Sequence, residues 1–416
     1  MAALAERGHQ ASVCTLSDEL EHLRQMGIEA SPIDRLIEDN QLKDWRERSP
    51  ISGALSVLST IAARADGDAR DLERAIARQN PDVLLVDINC RGAAAAAEAS
   101  GRPWAIYSPY LLPLPSRDAP PVGLGFAPID GPLGLVRNAV ANRLASTFLD
   151  RRVMPSINAL RLRHGLPPLG RYRDLLERPP LLLVLTAEGF EYPRSDWPAN
   201  ARLVGPVNWA PPLQTPAWLA NASDPLVLVT CSTERQDDER LVRVALQALP
   251  SAGMSVIATT AAHDPRGFDA PPGSRVVRFL PHEAVLERAA CVVCHGGMGI
   301  TQKALAAGVP VVAVPFRRDQ HDTARRVEVA EAGARLSSRR LTPDRLLDAV
   351  RTAMGRRAGA QRVSRAYAEA GGQAAAADAI EAIGRQPRNH SGRRGPSGLL
   401  HAATGTLPGA GGDING

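Results

Sequence analysis

Residues 291–301 read Cys291-Val-Val-Cys294-His295-Gly296-Gly297-Met298-Gly299-Ile300-Thr301. An apolar run ends in a glycine-rich turn, which opens onto a helical pattern stopping at Gly308. Glycines let backbone N–H groups approach a phosphate closely, and a helix N-terminus supplies positive potential. His295, at the carboxyl end of the strand, can donate to an anion. Two readings stand here: a phosphate-binding turn, or a strand–turn–helix connection whose glycines serve close packing.

Outward from this turn the pattern repeats. Strands are expected at 226–230, 254–259, 275–279, 291–294, 309–314 and 334–337. Helices are expected at 235–249, 283–289, 320–332, 342–355 and 358–383. The first half shows strands at 11–15, 83–88, 104–107, 181–185 and 202–204, and helices at 52–79, 91–100 and near 132–163. Continuous apolar strands alternating with helices imply parallel sheets covered on both faces. The alternation occurs twice, so two doubly wound α/β units stand in tandem.

The boundaries follow from composition. Residues 1–208 form the first unit, and 209–224 form a Pro-rich linker around Trp209 to Pro216. The second unit spans 225–384, and 385–416 lacks an apolar period and reads as a disordered tail. Residues 109–134 are rich in Pro and Gly and read as a long binding loop.

The chain has 416 residues, 44% hydrophobic and 22% charged, enough for two cores without staples. No apolar run approaches the roughly eighteen residues of a membrane helix. The opening MAALAERGHQ has no apolar signal core, and the five cysteines lie mostly in apolar runs. Both features point to a reducing cytoplasm. Of the net charge of +5, the tail alone holds +3, through Arg385, Arg388, Arg393 and Arg394 against Asp413. No stretch interleaves arginine with aromatics, which excludes a nucleic-acid surface.

A second constellation is Val311 to His321, where a buried strand ends in a loop carrying Asp319 and Gln320. An acid beside an amide both accepts and donates, which suits sugar hydroxyls. Asp319 can equally be the N-cap of the next helix. Asp87 ends the strand 83–88 at the ligand-binding edge, where it can orient a base or cap a helix. Thr230, Ser232 and Thr233 follow strand 226–230, with hydroxyls for phosphate or for capping. Cys291-Val-Val-Cys294-His295 also matches the c-type haem attachment pattern. Positions three apart on a strand face opposite sides, so both cysteines are read as core residues. His9, His22, His164 and His263 show no metal-ligand spacing and are read as surface or core histidines.

The residues together resemble the family 1 nucleotide-sugar-dependent glycosyltransferases of the GT-B fold, of the macrolide/antibiotic and UDP-sugar type. The resemblance covers about residues 2–383. It is carried by Phe279-Leu280-Pro281-His282, by His295-Gly-Gly-Met-Gly299, by Gly308-Val-Pro310 and by Pro315-Phe-Arg-Arg-Asp319-Gln320. Pro81 to Asp87 and Arg7-Gly8-His9 add to it. It implies two Rossmann-like domains facing a cleft. It also implies that Ser232, Thr233, His295, Gly297, Met298, Gly299 and Thr301 hold the donor diphosphate. Phe279, Leu280 and His282 would meet the nucleobase, and Asp319 and Gln320 the donor sugar. Asp87 would polarise a catalytic histidine. The reaction implied is direct inverting displacement, without metal or cofactor, from a UDP- or dTDP-sugar to a small lipophilic acceptor. A monomer or homodimer with no integral membrane segment is expected.

The chain departs from the family pattern at Phe279, where Trp is frequent, and at Lys303, where Glu is frequent. The family also begins with a strand and a loop carrying the catalytic histidine. By that resemblance the first strand and this histidine are expected upstream of Met1, on roughly 20–30 residues. A catalytically impaired nucleotide-sugar-binding homologue is the alternative function.

Overall fold

The computed structural model describes residues 1–43, 46–47, 49–208, 215–232 and 238–385. The linker residues 209–214, Thr233 and the tail from 386 onward lie outside the described residues.

The first half runs α1 (Ala2–Glu6), β1 (Ser12–Thr15), α2 (Leu20–Gln25), β2 (Glu29–Pro32), α3 (Arg35–Asp39) and α4 (Pro50–Gln79). It continues with β3 (Leu84–Asp87), α5 (Arg91–Ala99), β4 (Trp104–Ser108), α6 (Gly131–Arg163), α7 (Tyr172–Glu177), β5 (Leu181–Val184) and β6 (Ala201–Leu203). The second half runs β7 (Leu226–Thr230), α8 (Glu239–Ala248), β8 (Ser255–Thr259), β9 (Ser274–Val277), α9 (His282–Leu286), β10 (Ala289–Cys294) and α10 (Met298–Ala306). It ends with β11 (Val311–Ala313), α11 (Gln320–Val329), β12 (Gly333–Arg335), α12 (Pro343–Met354), α13 (Arg357–Glu369) and α14 (Gly372–Gly384).

The second half is one six-stranded parallel sheet in the order β12-β11-β10-β7-β8-β9. Its central strands are buried on both faces. Leu226 and Leu228 join the core on one side, and Val227 and Val229 the core on the other. Cys294 and Cys291 split in the same way and are fully buried. Burial pushes both thiols up, Cys291 to about 12 and Cys294 to about 11. Neither can reach a haem or a redox partner, so the CxxCH pattern is core packing.

The first half holds two separate parallel sheets among the described residues: β3-β4-β5-β6, and the pair β1-β2. Among the described residues β1 pairs with β2 only, and β3 with β4 only. The small pair is tied to the end of α4. Gln79 accepts from Ser12 Oγ at 2.6 Å and donates to Glu29 at 2.8 Å.

Two features differ from the sequence reading. Residues 29–32 form a strand that sequence reading leaves unassigned; only four residues long and half exposed, it carries no apolar run. The expected single helix at 358–383 is two helices. Gly371 and Gly372 take φ of +85° and +54°, which ends α13 and turns the chain. α14 then lies against β5, with Ile383 sharing a core with Ala105, Leu181 and Leu183 of the first half.

Candidate functional site

In a doubly wound sheet, ligands bind beyond the carboxyl ends of the strands where the strand order reverses. Here that point lies between β7 and β10. Ser232 follows β7 and His295 follows β10, so the topology sets them on one edge.

His295 is buried, and its Nδ1 has no hydrogen-bond partner. Asp238 Oδ2 lies 3.9 Å from that nitrogen. Burial holds the imidazole below its usual range; the Asp238 carboxylate opposes this shift and Arg318 adds to it. Gly297 is the N-cap of α10. A Cβ there would stand 2.3 Å from His295 Nε2, so only glycine leaves room for the ring. A Cβ on Gly299 would meet nothing within 4 Å, so the turn is open on that side. The first amides of α10 have no carbonyl one turn back to pair with and carry the positive end of the helix dipole. Together they make a cradle of the kind that can accept an anion.

The other expected donor-site residues divide. Ser232 N donates to Asp238 Oδ2 at 2.5 Å, which fixes the β7 loop beside the cradle. Thr301 is fully buried with its hydroxyl 3.8 Å from Cys294 Sγ, beneath the turn rather than on its open side. Met298 is buried in the core, leaving its backbone to the turn. Phe279 is 61% exposed after β9, a ring available for stacking, whereas Leu280 is core. His282 Nε2 lies 3.0 Å from Thr259 Oγ1, and burial, reinforced by Lys303, pushes it down to about 4. Its side chain ties α9 to β8 as a neutral ring. Lys303 pairs with Glu283 at 3.1 Å.

The loop before α11 is strained at one residue: Arg318 takes φ of +53°. Asp319 occupies the N-cap position of α11 but makes no side-chain capping bond. Burial pushes its carboxyl up to about 6. Gln320 Oε1 accepts from Phe316 N at 2.8 Å and Arg317 N at 2.9 Å, so it shapes the loop that presents Asp319.

Asp87 ends β3 as expected. Its Oδ1 accepts from Asn89 N at 2.8 Å, and burial raises its pKa. Sequence reading missed its neighbour Asp68 on α4, which is buried with Oδ2 unpartnered and pushed up to about 7 by burial. It sits mid-helix, where one acid among many gives no signal.

Sequence reading also missed a cluster behind the cradle. Cys231, Asp238 and His263 bring one ligand-type atom each within 4.8 Å of one another. Asp238 is fully buried and holds His263 Nε2 at 3.3 Å. Their sequence separation hid them.

The two halves meet beside this site. Gly123 N and Gly125 N donate to Asp322 at 2.8 and 3.2 Å, so the 109–130 loop reaches α11. Gln302 Nε2 donates to Leu185 O at 2.6 Å. A cavity of about 550 Å³ lies elsewhere, between β1, β2 and α4, and none of the donor-site residues lines it.

Residues 243–383 match the erythromycin biosynthesis protein CIII-like C-terminal domain. The chain is 36% identical over 312 residues to 4'-demethylrebeccamycin synthase of Lentzea aerocolonigenes, covering 73% of this chain and 74% of that protein. It is 31% identical over 309 residues to a PGL/p-HBAD biosynthesis rhamnosyltransferase of Mycobacterium bovis, covering 73% and 66%. The fold is similar to that of CalG4, the calicheamicin glycosyltransferase, with a TM-score of 0.71 at 21% identity over 92% of both chains. It is also similar to glycosyltransferase VinC, solved in complex with dTDP, with a TM-score of 0.67 at 22% identity over 92% of this chain and 94% of that one. The chain belongs to the family 1, antibiotic-type glycosyltransferases of the GT-B fold.

Proposed function

We propose that this glycosyltransferase moves a sugar, with inversion, from a UDP- or dTDP-sugar to a hydroxyl of a small lipophilic acceptor. The observation that carries the reading is His295, buried with an unpartnered Nδ1 facing Asp238, at the mouth of the α10 N-terminus. A diphosphate leaving group develops negative charge as the glycosidic bond breaks. Preorganised N–H donors stabilise that charge without reorganising. Burial and Arg318 disfavour the imidazolium, but the Asp238 carboxylate and a bound diphosphate both favour it, so with the donor in place His295 holds Nδ1–H toward Asp238 and donates from Nε2. Asp319 supports the sugar reading, because a half-buried carboxyl with a pKa near 6 can accept from or donate to a hydroxyl. The exposed Phe279 ring supports base stacking. Relatives named 4'-demethylrebeccamycin synthase and PGL/p-HBAD biosynthesis rhamnosyltransferase support an acceptor of the natural-product or lipid class.

A second reading is a donor-binding homologue with slow transfer. It is favoured by Asp87, whose bonds run to Asn89 and Tyr107, with no histidine bonded to it among the described residues. Calorimetry with UDP and dTDP tests the shared donor site. His295→Ala is expected to weaken binding by about 1–3 kcal/mol, and unchanged affinity removes His295 from the site. Donor binding with turnover below that of the relatives by about 10²-fold or more selects the second reading.

A further inference from the structure

Nine of the eighteen exposed large apolar side chains among the described residues fall within residues 124–148. Most are on α6. Leu133, Val136, Val140, Leu144 and Phe148 recur at steps of three or four, which places them on one helix face. They are 40% to 75% exposed. The opposite face is polar and buried. Asn142 Nδ2 donates to Ser116 O at 2.7 Å and Ala119 O at 3.0 Å, and Asn138 Nδ2 donates to Arg117 O at 3.2 Å. A helix on a water-facing surface normally shows the reverse polarity.

The charge on α6 has one sign outward. Arg143, Arg151 and Arg152 are exposed, and Arg137 is half-buried. Arg137 and Arg152 lie over the Phe126 and Phe148 rings at 5.8 and 5.9 Å. The one acid of the helix, Asp150, is half-buried and accepts from Tyr172 N at 2.8 Å. An apolar stripe flanked by arginines, with its acid turned inward, matches an interfacial helix on an anionic lipid surface. The long arginine stems lie along the apolar face while their heads reach phosphate. Two such faces from two copies would bring arginines together, with Asp130 at the N-cap as the one outward carboxylate of residues 124–163. Nucleic acid would leave the stripe wet.

We propose that the outer face of α6 docks on an anionic lipid membrane. The attachment is peripheral, since no helix among the described residues is long and apolar enough to cross one. The preceding loop is bonded through Gly123 and Gly125 to Asp322, two positions after Gln320. The docked face is therefore continuous with the donor-sugar loop, and a lipophilic acceptor dissolved in the bilayer would be delivered beside it. That last step rests on the lipophilic-acceptor reading; the docking itself does not.

The test is co-sedimentation of the full chain, without donor or acceptor, with phosphatidylcholine vesicles and with equal-part phosphatidylcholine–phosphatidylglycerol vesicles. Binding to the anionic vesicles is expected, weakened by added salt, with little binding to the neutral ones. The double variant Val140→Ser/Leu144→Ser should bind about tenfold more weakly at an unchanged melting temperature. Arg143→Gln/Arg151→Gln, which keeps the stripe, should bind more weakly and lose most of the salt dependence. A wild-type chain that stays in solution with anionic vesicles overturns the proposal, as does a serine double variant that pellets like wild type. A dimer in sedimentation velocity that the serine variant converts to monomer assigns the face to a second copy and also overturns it. Because pelleting is read without ligands, its failure leaves the transferase reading standing, and failed donor binding leaves the surface standing.

Discussion

Arg326 of α11 and Glu191 of the first half form an ion pair at 2.6 Å, with both side chains about 1% exposed. Arg326 Nε reaches the same oxygen at 3.0 Å, and its guanidinium lies 4.1 Å from the Tyr192 ring centroid. The pair joins the helix that opens with Gln320 to the half bearing Asp87. It ties the loop carrying Asp319 and Gln320 to the first half of the chain.

Glu191 also has the buried Arg194 at 3.7 Å, so removing Arg326 leaves it one longer-range partner, whereas removing the Glu191 charge takes the carboxylate from two buried guanidinium groups. Glu191→Gln is therefore expected to cost about 3–5 kcal/mol, and Arg326→Met less than that. Replacing both with apolar residues should recover only part of that loss, because the buried Arg194 then lacks Glu191. Urea unfolding of the two single variants and the double variant checks it, and additive losses would show that the pair is not coupled.

Gly297→Ala tests the cradle by shape alone. Its Cβ would fall 2.3 Å from His295 Nε2, so the ring must leave its place. UDP or dTDP affinity should fall about as far as in His295→Ala, roughly 1–3 kcal/mol, while the sheet stays folded. Equal affinity for wild type and the alanine variant would show that ring position does not matter to the donor.

Asp238 is expected to act on the donor through His295. It faces His295 Nδ1 at 3.9 Å while holding Ser232 N and His263. Asp238→Asn keeps the shape and removes the charge that favours the protonated ring. Diphosphate affinity should then fall off at lower pH than in the wild type. A pH profile of binding that superimposes on the wild type would remove Asp238 from this role.

Asp68 gives a stability prediction with a definite sign. Its carboxyl is pushed up from 3.8 to about 7 by burial. Between those values the folded chain keeps a proton that the unfolded chain has lost. Stability therefore falls as pH rises through that window, and the penalty is complete above about pH 7. Asp68→Asn should change little near pH 4 and stabilise by about 2–4 kcal/mol near pH 8. Denaturation curves at the two pH values decide it, and an equal effect at both would show that Asp68 does not titrate with folding.

The sequence by itself determined the repeated strand–helix alternation, the double burial of strands such as 226–230 and 291–294, and the turn at His295-Gly-Gly-Met-Gly299. These features are local: apolar runs, glycine positions and capping patterns act within a few residues. The tertiary structure alone decided what those residues touch. It set Thr301 under the turn against Cys294 and made His282 a strut to Thr259. It also brought Asp238 and His263 behind His295 across gaps that no spacing rule spans. The same holds for Glu191 and Arg326, for α14 crossing back to β5, and for the inverted polarity of α6. Each depends on which surfaces meet once two sheets pack together, and one helix's period carries no record of its neighbour.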